Sequence, residues 1–276
     1  MPLEEIINRQ GIIISAPASG AGKTTVTLGL INAFARKGSV QPFKSGPDYI
    51  DSKFQSVAAD RPSYNLDTWA MSSSDILNMI GMVGPSDICI AEGSMGLFDG
   101  VISKGAGGNG STADLASITN WPVILVVDCA KQAQSVAALI TGFNSFRHDI
   151  TIGGVILNNI SSKRHEALVV SEVSKTKVPI LGVIPRSNEL TIPERHLGLV
   201  QAEDLSDLEQ LIFKLGTLIE ENCDLEAIAC TARKSSPAIP NLQKITPPAQ
   251  RIAIARDNAF TLSLIHISEP TRPVMI

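Results

Sequence analysis

GIIISAPASGAGKTT, residues 11–25, decides the fold. Its apolar head reads as a buried strand. Ser19-Gly20-Ala21-Gly22-Lys23-Thr24-Thr25 reads as a phosphate-binding loop (P-loop), and the residues beyond it as a helix. The glycines let backbone N–H groups approach phosphate oxygens, and the helix N-terminus adds its positive end. Lys23 would reach the outer phosphates and the Thr24 hydroxyl could ligate Mg²⁺. Pro17 stands where the usual spacing has its first glycine, which removes no donor from the inner loop. A glycine turn that merely caps a helix is the alternative, and Lys-Thr-Thr in register argues against it.

Working outward, apolar runs that end in polar residues alternate with segments of helical period. That is the signature of a parallel sheet covered on both faces. Strands are expected at 11–15, 40–43, 88–92, 123–128, 154–158 and 179–184. Helices are expected at 23–37, with Val26, Leu28, Leu30, Ile31 and Phe34 on the apolar face, and at 204–223. The expected fold class is therefore α/β, a P-loop domain with a mostly parallel sheet. Residues 231–250, with four prolines among Ser, Lys and Gln, have a linker composition, and 251–255 resemble a further strand.

The chain has 276 residues, 44% of them hydrophobic, and a formal net charge of −4. This suffices for one substantial core and gives no basic footprint for nucleic acid. Cys89, Cys129, Cys223 and Cys230 are scattered without the spacing of a zinc or redox motif and are expected to be reduced thiols. Residues 1–10 are polar and charged, and the apolar runs are too short to span a bilayer, so a cytoplasmic location without membrane partners is expected.

A P-loop needs an acidic group from a neighbouring strand end. Asp48 and Asp51 follow a Gly-Pro turn beside Lys44, and Glu92 ends an apolar strand ahead of a glycine loop carrying Asp99. Glu92 is the better placed. The aspartates, beside Gly and Pro, have turn formation as their plain alternative.

These segments resemble the cobyrinate a,c-diamide synthase family, related in fold to dethiobiotin synthetase. The resemblance rests on QPFKSGPDYID (41–51), NLDTW (65–69), EGSMGLFDG (92–100), GSTADL (110–115), GVILN (154–158) and PERHLGL (193–199). It implies ATP-dependent amidation of two corrinoid acetate side chains through an acyl phosphate, with ammonia drawn from glutamine. It also implies ATP and Mg²⁺ as cofactors, the metal lying among Thr24, Asp48 and Glu92. Lys23, Lys44, Asp48, Asp51 and Glu92 would be the catalytic set. Tyr49, Ser94, Asp99, Ser111 and Thr112 would lie on the substrate side, although Ser111 and Thr112 could simply cap the helix after them, the more frequent role for such residues. Asn158 matches a position that reads adenine, or else closes its strand by a side-chain turn. The implied partners are a corrinoid such as cobyrinate and ammonia or glutamine, and a homodimer is possible.

The resemblance implies an ATP-binding domain over 1–230, a linker over 231–250 and the start of a glutamine amidotransferase domain over 251–260. Residues 261–276, which include LSLIHISEPTRP, look like a translated sequencing-adapter tail and are expected to be non-native. None of the four cysteines stands in the setting of a glutaminase nucleophile. Within the same chemistry, a nickel-sirohydrochlorin a,c-diamide synthase is the nearest alternative, and cobyric acid synthase is a further relative. From another class, a partition or positioning ATPase switch would carry an early P-loop lysine where this chain has Ala18.

Overall fold

The computed structural model describes residues 9–187 and 207–235, all within the compact unit that spans Met1–Pro240. Seven strands lie parallel in the order β3-β2-β4-β1-β5-β6-β7. They are β1 (Gln10–Ser15), β2 (Val40–Ser45), β3 (Tyr64–Leu66), β4 (Ile88–Glu92), β5 (Val123–Asp128), β6 (Ile152–Ile160) and β7 (Ile180–Pro185). A two-residue strand, β8 (Arg233–Lys234), pairs antiparallel with the start of β1.

Burial on both faces explains the unbroken apolar runs. In β1, Ile12 and Ile14 enter one core and Ile13 the other. The first core is roofed by α1 (Lys23–Ala35), α2 (Ile50–Ala59), α7 (Leu208–Asn222) and α8 (Leu225–Thr231). The second is roofed by α3 (Ser73–Met82), α4 (Thr112–Thr119), α5 (Val136–Phe146) and α6 (Lys163–Val173). Helix α1 is apolar on more than one side because it is sandwiched between the sheet and α7. Gly29 makes that packing possible, since a Cβ there would stand 2.6 Å from Ile219 Cγ1 and 2.8 Å from the Leu215 carbonyl oxygen. On α7, Leu208, Ile212, Leu215 and Ile219 repeat at the i, i+4, i+7 spacing of a single buried stripe.

Close packing at the start of β1 carries a testable consequence. A Cβ on Gly11 would lie 2.5 Å from the Trp121 ring, which is almost fully buried and tied by its Nε1–H to the Arg9 carbonyl at 3.1 Å. Gly11→Ala should therefore destabilise the fold by about 1–3 kcal/mol through overpacking. Urea unfolding measures it, and an unchanged midpoint would show that the indole moves freely.

Strands β4 and β5 have the bounds expected from sequence, β1, β2 and β6 run one to four residues longer in total, and β7 keeps the expected length but lies one residue later. Helix α1 ends at Ala35 rather than 37. Strands β3 and β8 were not foreseen, being too short for periodicity to register. The expected linker begins at 231, yet the Ser235 N–H donates to the Arg9 carbonyl at 2.8 Å, so the fold reaches at least that far. The rest of 236–276 and the PERHLGL segment lie outside the described residues.

Candidate functional site

All seven parallel strands end on the same edge of the sheet. The loops after β1, β2 and β4, three neighbours in the order, therefore meet there, which is where open α/β sheets bind ligands. After β1 the chain turns through Gly20 at φ +80° and Gly22 at φ +85°, left-handed conformations that favour glycine. A Cβ on Gly20 would meet nothing, whereas on Gly22 it would stand 2.3 Å from Asn158 Nδ2. That amide donates to the Ala21 carbonyl at 2.9 Å, so β6 braces the loop from below. Helix α1 starts at Lys23 without a side-chain cap, leaving its first N–H groups for an anion. Lys23 Nζ donates to the Met95 carbonyl at 2.6 Å, and burial pushes its pKa down despite Glu92 nearby. Met95 itself sits at φ +47°, uncommon for a residue with a Cβ.

Opposite this cradle stands a buried ionic cluster. Lys44 and Glu92 are register partners at the ends of β2 and β4, and Lys44 Nζ lies 3.2 Å from Glu92 Oε1. The same ammonium lies 2.5 Å from Asp51 Oδ2 and 3.8 Å from Asp48 Oδ2. Lys44 is 3% exposed and Glu92 fully buried. Burial alone would lower the Lys44 pKa, but Glu92, Asp51 and Asp48 together hold it well above the ordinary lysine range. Burial raises the Glu92 pKa, and Lys44 offsets part of that rise. Asp48 is raised by burial and by the adjacent Asp51, whose N–H donates to Asp48 Oδ1 at 3.0 Å.

Thr24 joins the two halves, its hydroxyl donating to Glu92 Oε1 at 2.7 Å. A hydroxyl and a carboxylate that meet at a phosphate cradle suit Mg²⁺, which takes one or two carboxylates and completes its shell with water and phosphate oxygens. Among the described residues no group of three or more His, Cys, Asp or Glu forms a self-sufficient metal cage. Between the cradle and the cluster lies a cleft of about 570 Å³. It is lined by Ser19, Gly20, Gly22, Lys23, Thr24, Thr25, Lys44, Asp48, Asp51, Glu92 and Ser94, with Asn158 and Asn159 at one side.

Thus most of the expected site residues converge. Ala21, Tyr49, Asp99, Ser111 and Thr112 do not line this cleft. Asp99 Oδ2 accepts the Gly96 N–H at 2.9 Å, shaping the glycine loop. Ser111 caps α4 by accepting the Asp114 N–H at 3.2 Å, the plainer of its two expected roles. Thr112 Oγ1 donates to the Ser94 carbonyl at 3.2 Å, and Ser94 donates in turn to the Ser45 carbonyl. Asn158 spends a donor on the loop backbone while bordering the cleft.

A family model described as the CobQ/CobB/MinD/ParA nucleotide-binding domain matches residues 12–200. The chain belongs to this family. Among curated relatives, hydrogenobyrinate a,c-diamide synthase of Rhodobacter capsulatus is 45% identical over 264 residues, covering 95% of this chain and 60% of that protein. The protein of the same name from Brucella ovis is 45% identical over 268 residues, covering 95% and 61%. The chain thus spans about three fifths of the length of these relatives. Among solved structures, the MinC:MinD cell division protein complex of Aquifex aeolicus superposes with a TM-score of 0.48 at 16% identity, over 80% of this chain and 93% of that one. Among the described residues no helix is long and apolar enough to cross a membrane.

One contact in this nucleotide-binding domain escaped sequence reading. Gln55, fully buried on α2, donates from Nε2 to Glu92 Oε2 at 2.8 Å. Its signal was a polar residue on the face that also buries Phe54 and Ala58, a position where an amide needs a partner.

Proposed function

We propose that the chain is the nucleotide-dependent part of a carbon–nitrogen ligase that amidates the a and c side-chain carboxylates of a corrinoid. The observation that carries this reading is the Lys44–Asp48–Asp51–Glu92 cluster facing the phosphate cradle across one cleft. A bare nucleotide switch has no evident use for a buried lysine among three carboxylates beside the transferable phosphate. The relatives' name points to hydrogenobyrinate as the scaffold, and cobyrinate differs from it by cobalt at the ring centre.

A carboxylate resists attack by ammonia, so it is first phosphorylated. A carboxylate oxygen bonds to the γ-phosphorus of ATP while the bond from that phosphorus to the β,γ-bridging oxygen breaks, releasing ADP. Ammonia then adds to the carbonyl carbon of the acyl phosphate, phosphate departs, and the nitrogen loses a proton to leave the amide. Lys23 and the first N–H groups of α1 bind the phosphate oxygens and stabilise charge that develops on them. Lys44, held charged by its acidic neighbours, faces the incoming carboxylate. Mg²⁺, when bound, would be held by Thr24 and Glu92 with Asp48 alongside, and would neutralise charge on the phosphates.

For these 276 residues assayed as given, we expect free ammonia to serve as the nitrogen source. A glutaminase needs a thiolate, and burial pushes three of the four thiols, Cys89, Cys129 and Cys223, up to about 11, 12 and 12, while the fourth, Cys230, is exposed near the end of α8 and is not among the cleft-lining residues. Amidation should proceed with ammonium chloride and fail with glutamine, and robust glutamine-dependent turnover by this chain would refute that. Corrinoid should stimulate ATP hydrolysis. Stimulation by lipid vesicles or DNA instead would indicate a positioning or partition switch.

A further inference from the structure

We infer that Gln55, held by Ser63, is a positioning residue that keeps Glu92 aimed at Thr24 and the metal side of the nucleotide. The inference rests on the reading of Thr24 and Glu92 as magnesium-side groups. It begins with the two oxygens of one buried carboxylate. Oε1 faces the cleft, accepting from Thr24 at 2.7 Å with Lys44 Nζ at 3.2 Å. Oε2 faces away and accepts from Gln55 Nε2 at 2.8 Å.

The orientation of the Gln55 amide follows from chemistry. An ionised carboxylate only accepts, so the NH₂ end must face Glu92, leaving the amide oxygen toward Ser63. Ser63 Oγ donates to that oxygen at 2.8 Å. The serine is itself fixed: its N–H donates to Ser56 Oγ at 2.9 Å, and Ser56 donates to the Ser52 carbonyl at 2.7 Å. Gln41 adds a donor to the Pro62 carbonyl at 2.9 Å, holding the turn from β2. The chain Ser63–Gln55–Glu92–Thr24 therefore runs from an anchored turn to the phosphate cradle.

Its use appears when a ligand arrives. Thr24 can be drawn toward the metal and Lys44 toward phosphate, and each would leave Oε1 as it moved. Gln55 would remain, so Glu92 could not swing out of line at the moment when Oε1 must meet the cation. Residues that orient a metal-side group through its other atom typically change metal affinity by about 10–100-fold when removed.

The test measures binding of a fluorescent ATP analogue to the full chain, in EDTA and across a Mg²⁺ titration, comparing Gln55→Leu, Ser63→Ala and Ser63→Thr with the parent. Gln55→Leu should raise the Mg²⁺ concentration for half-maximal binding by about tenfold, while affinity in EDTA stays within about twofold. Ser63→Ala should shift it in the same direction by less, and Ser63→Thr, which keeps the hydroxyl, should match the parent. Equal losses in EDTA and in Mg²⁺ would mean a merely structural role, and unchanged Mg²⁺ dependence would mean none; either overturns the inference. If Gln55→Leu does not fold, the Ser63→Ala and Ser63→Thr pair decides. Failure of the parent chain to bind nucleotide would instead count against the proposed function.

Discussion

Replacing Lys44 with Met should abolish amidation and lower folding stability by about 3–5 kcal/mol, the usual cost of removing one partner from a buried ion pair. The size follows from what Lys44 leaves behind. Glu92 is fully buried, with Lys44 Nζ 3.2 Å from Oε1, and Asp51 and Asp48 share the same ammonium. Without it, a buried carboxylate loses its countercharge, and Asp48, just ahead of α2, and Asp51, in its first turn, repel each other. The loss lives in packing and energetics before it reaches chemistry. Urea unfolding of Lys44→Met is the measurement, and a midpoint equal to the parent's would mean that Lys44 offsets no buried charge.

Lys23→Ala should separate activity from stability. Its ammonium is partly desolvated and donates to a neutral carbonyl, Met95, rather than closing the carboxylate cluster. Losing that bond should change stability by only about 1 kcal/mol. Losing a preorganised cation at the transferred phosphate should cost about 10²–10³ in turnover. A two-lysine comparison is therefore informative. Lys44→Met should fail in both measurements and Lys23→Ala in one. Equal stability losses would mean that both lysines serve the fold in the same way.

Much of the fold could be read from the chain because its central strands are long, β-branched and buried on both faces. The run of isoleucines in β1 and the apolar run of β5 leave no other economical assignment, and the glycine loop after β1 fixes where the first helix starts. The three-residue β3 and the two-residue β8 lack enough side chains to show a period, and only pairing with β2 and β1 makes them strands. At the site, Lys23, Thr24, Lys44 and Glu92 could be named in advance because each ends a strand or opens a helix at one sheet edge. Gln55 could not, since its role depends on a helix crossing to the end of β4, a juxtaposition that spacing does not encode. Ser111 shows the opposite difficulty. Its setting before a helix fitted a ligand or a cap, and the Asp114 N–H it accepts shows the cap.

On the proposed function, this cleft moves a phosphoryl group onto a carboxylate. Isotopic oxygen tests it most directly. Incubating the chain with ATP, Mg²⁺, ammonium chloride and hydrogenobyrinate bearing ¹⁸O in its carboxylates should deliver one ¹⁸O into each inorganic phosphate formed, because the carboxylate oxygen that attacks phosphorus leaves with it. Inorganic phosphate free of label, with ATP consumed, would show that water and not the corrinoid takes the phosphoryl group, and would contradict the account.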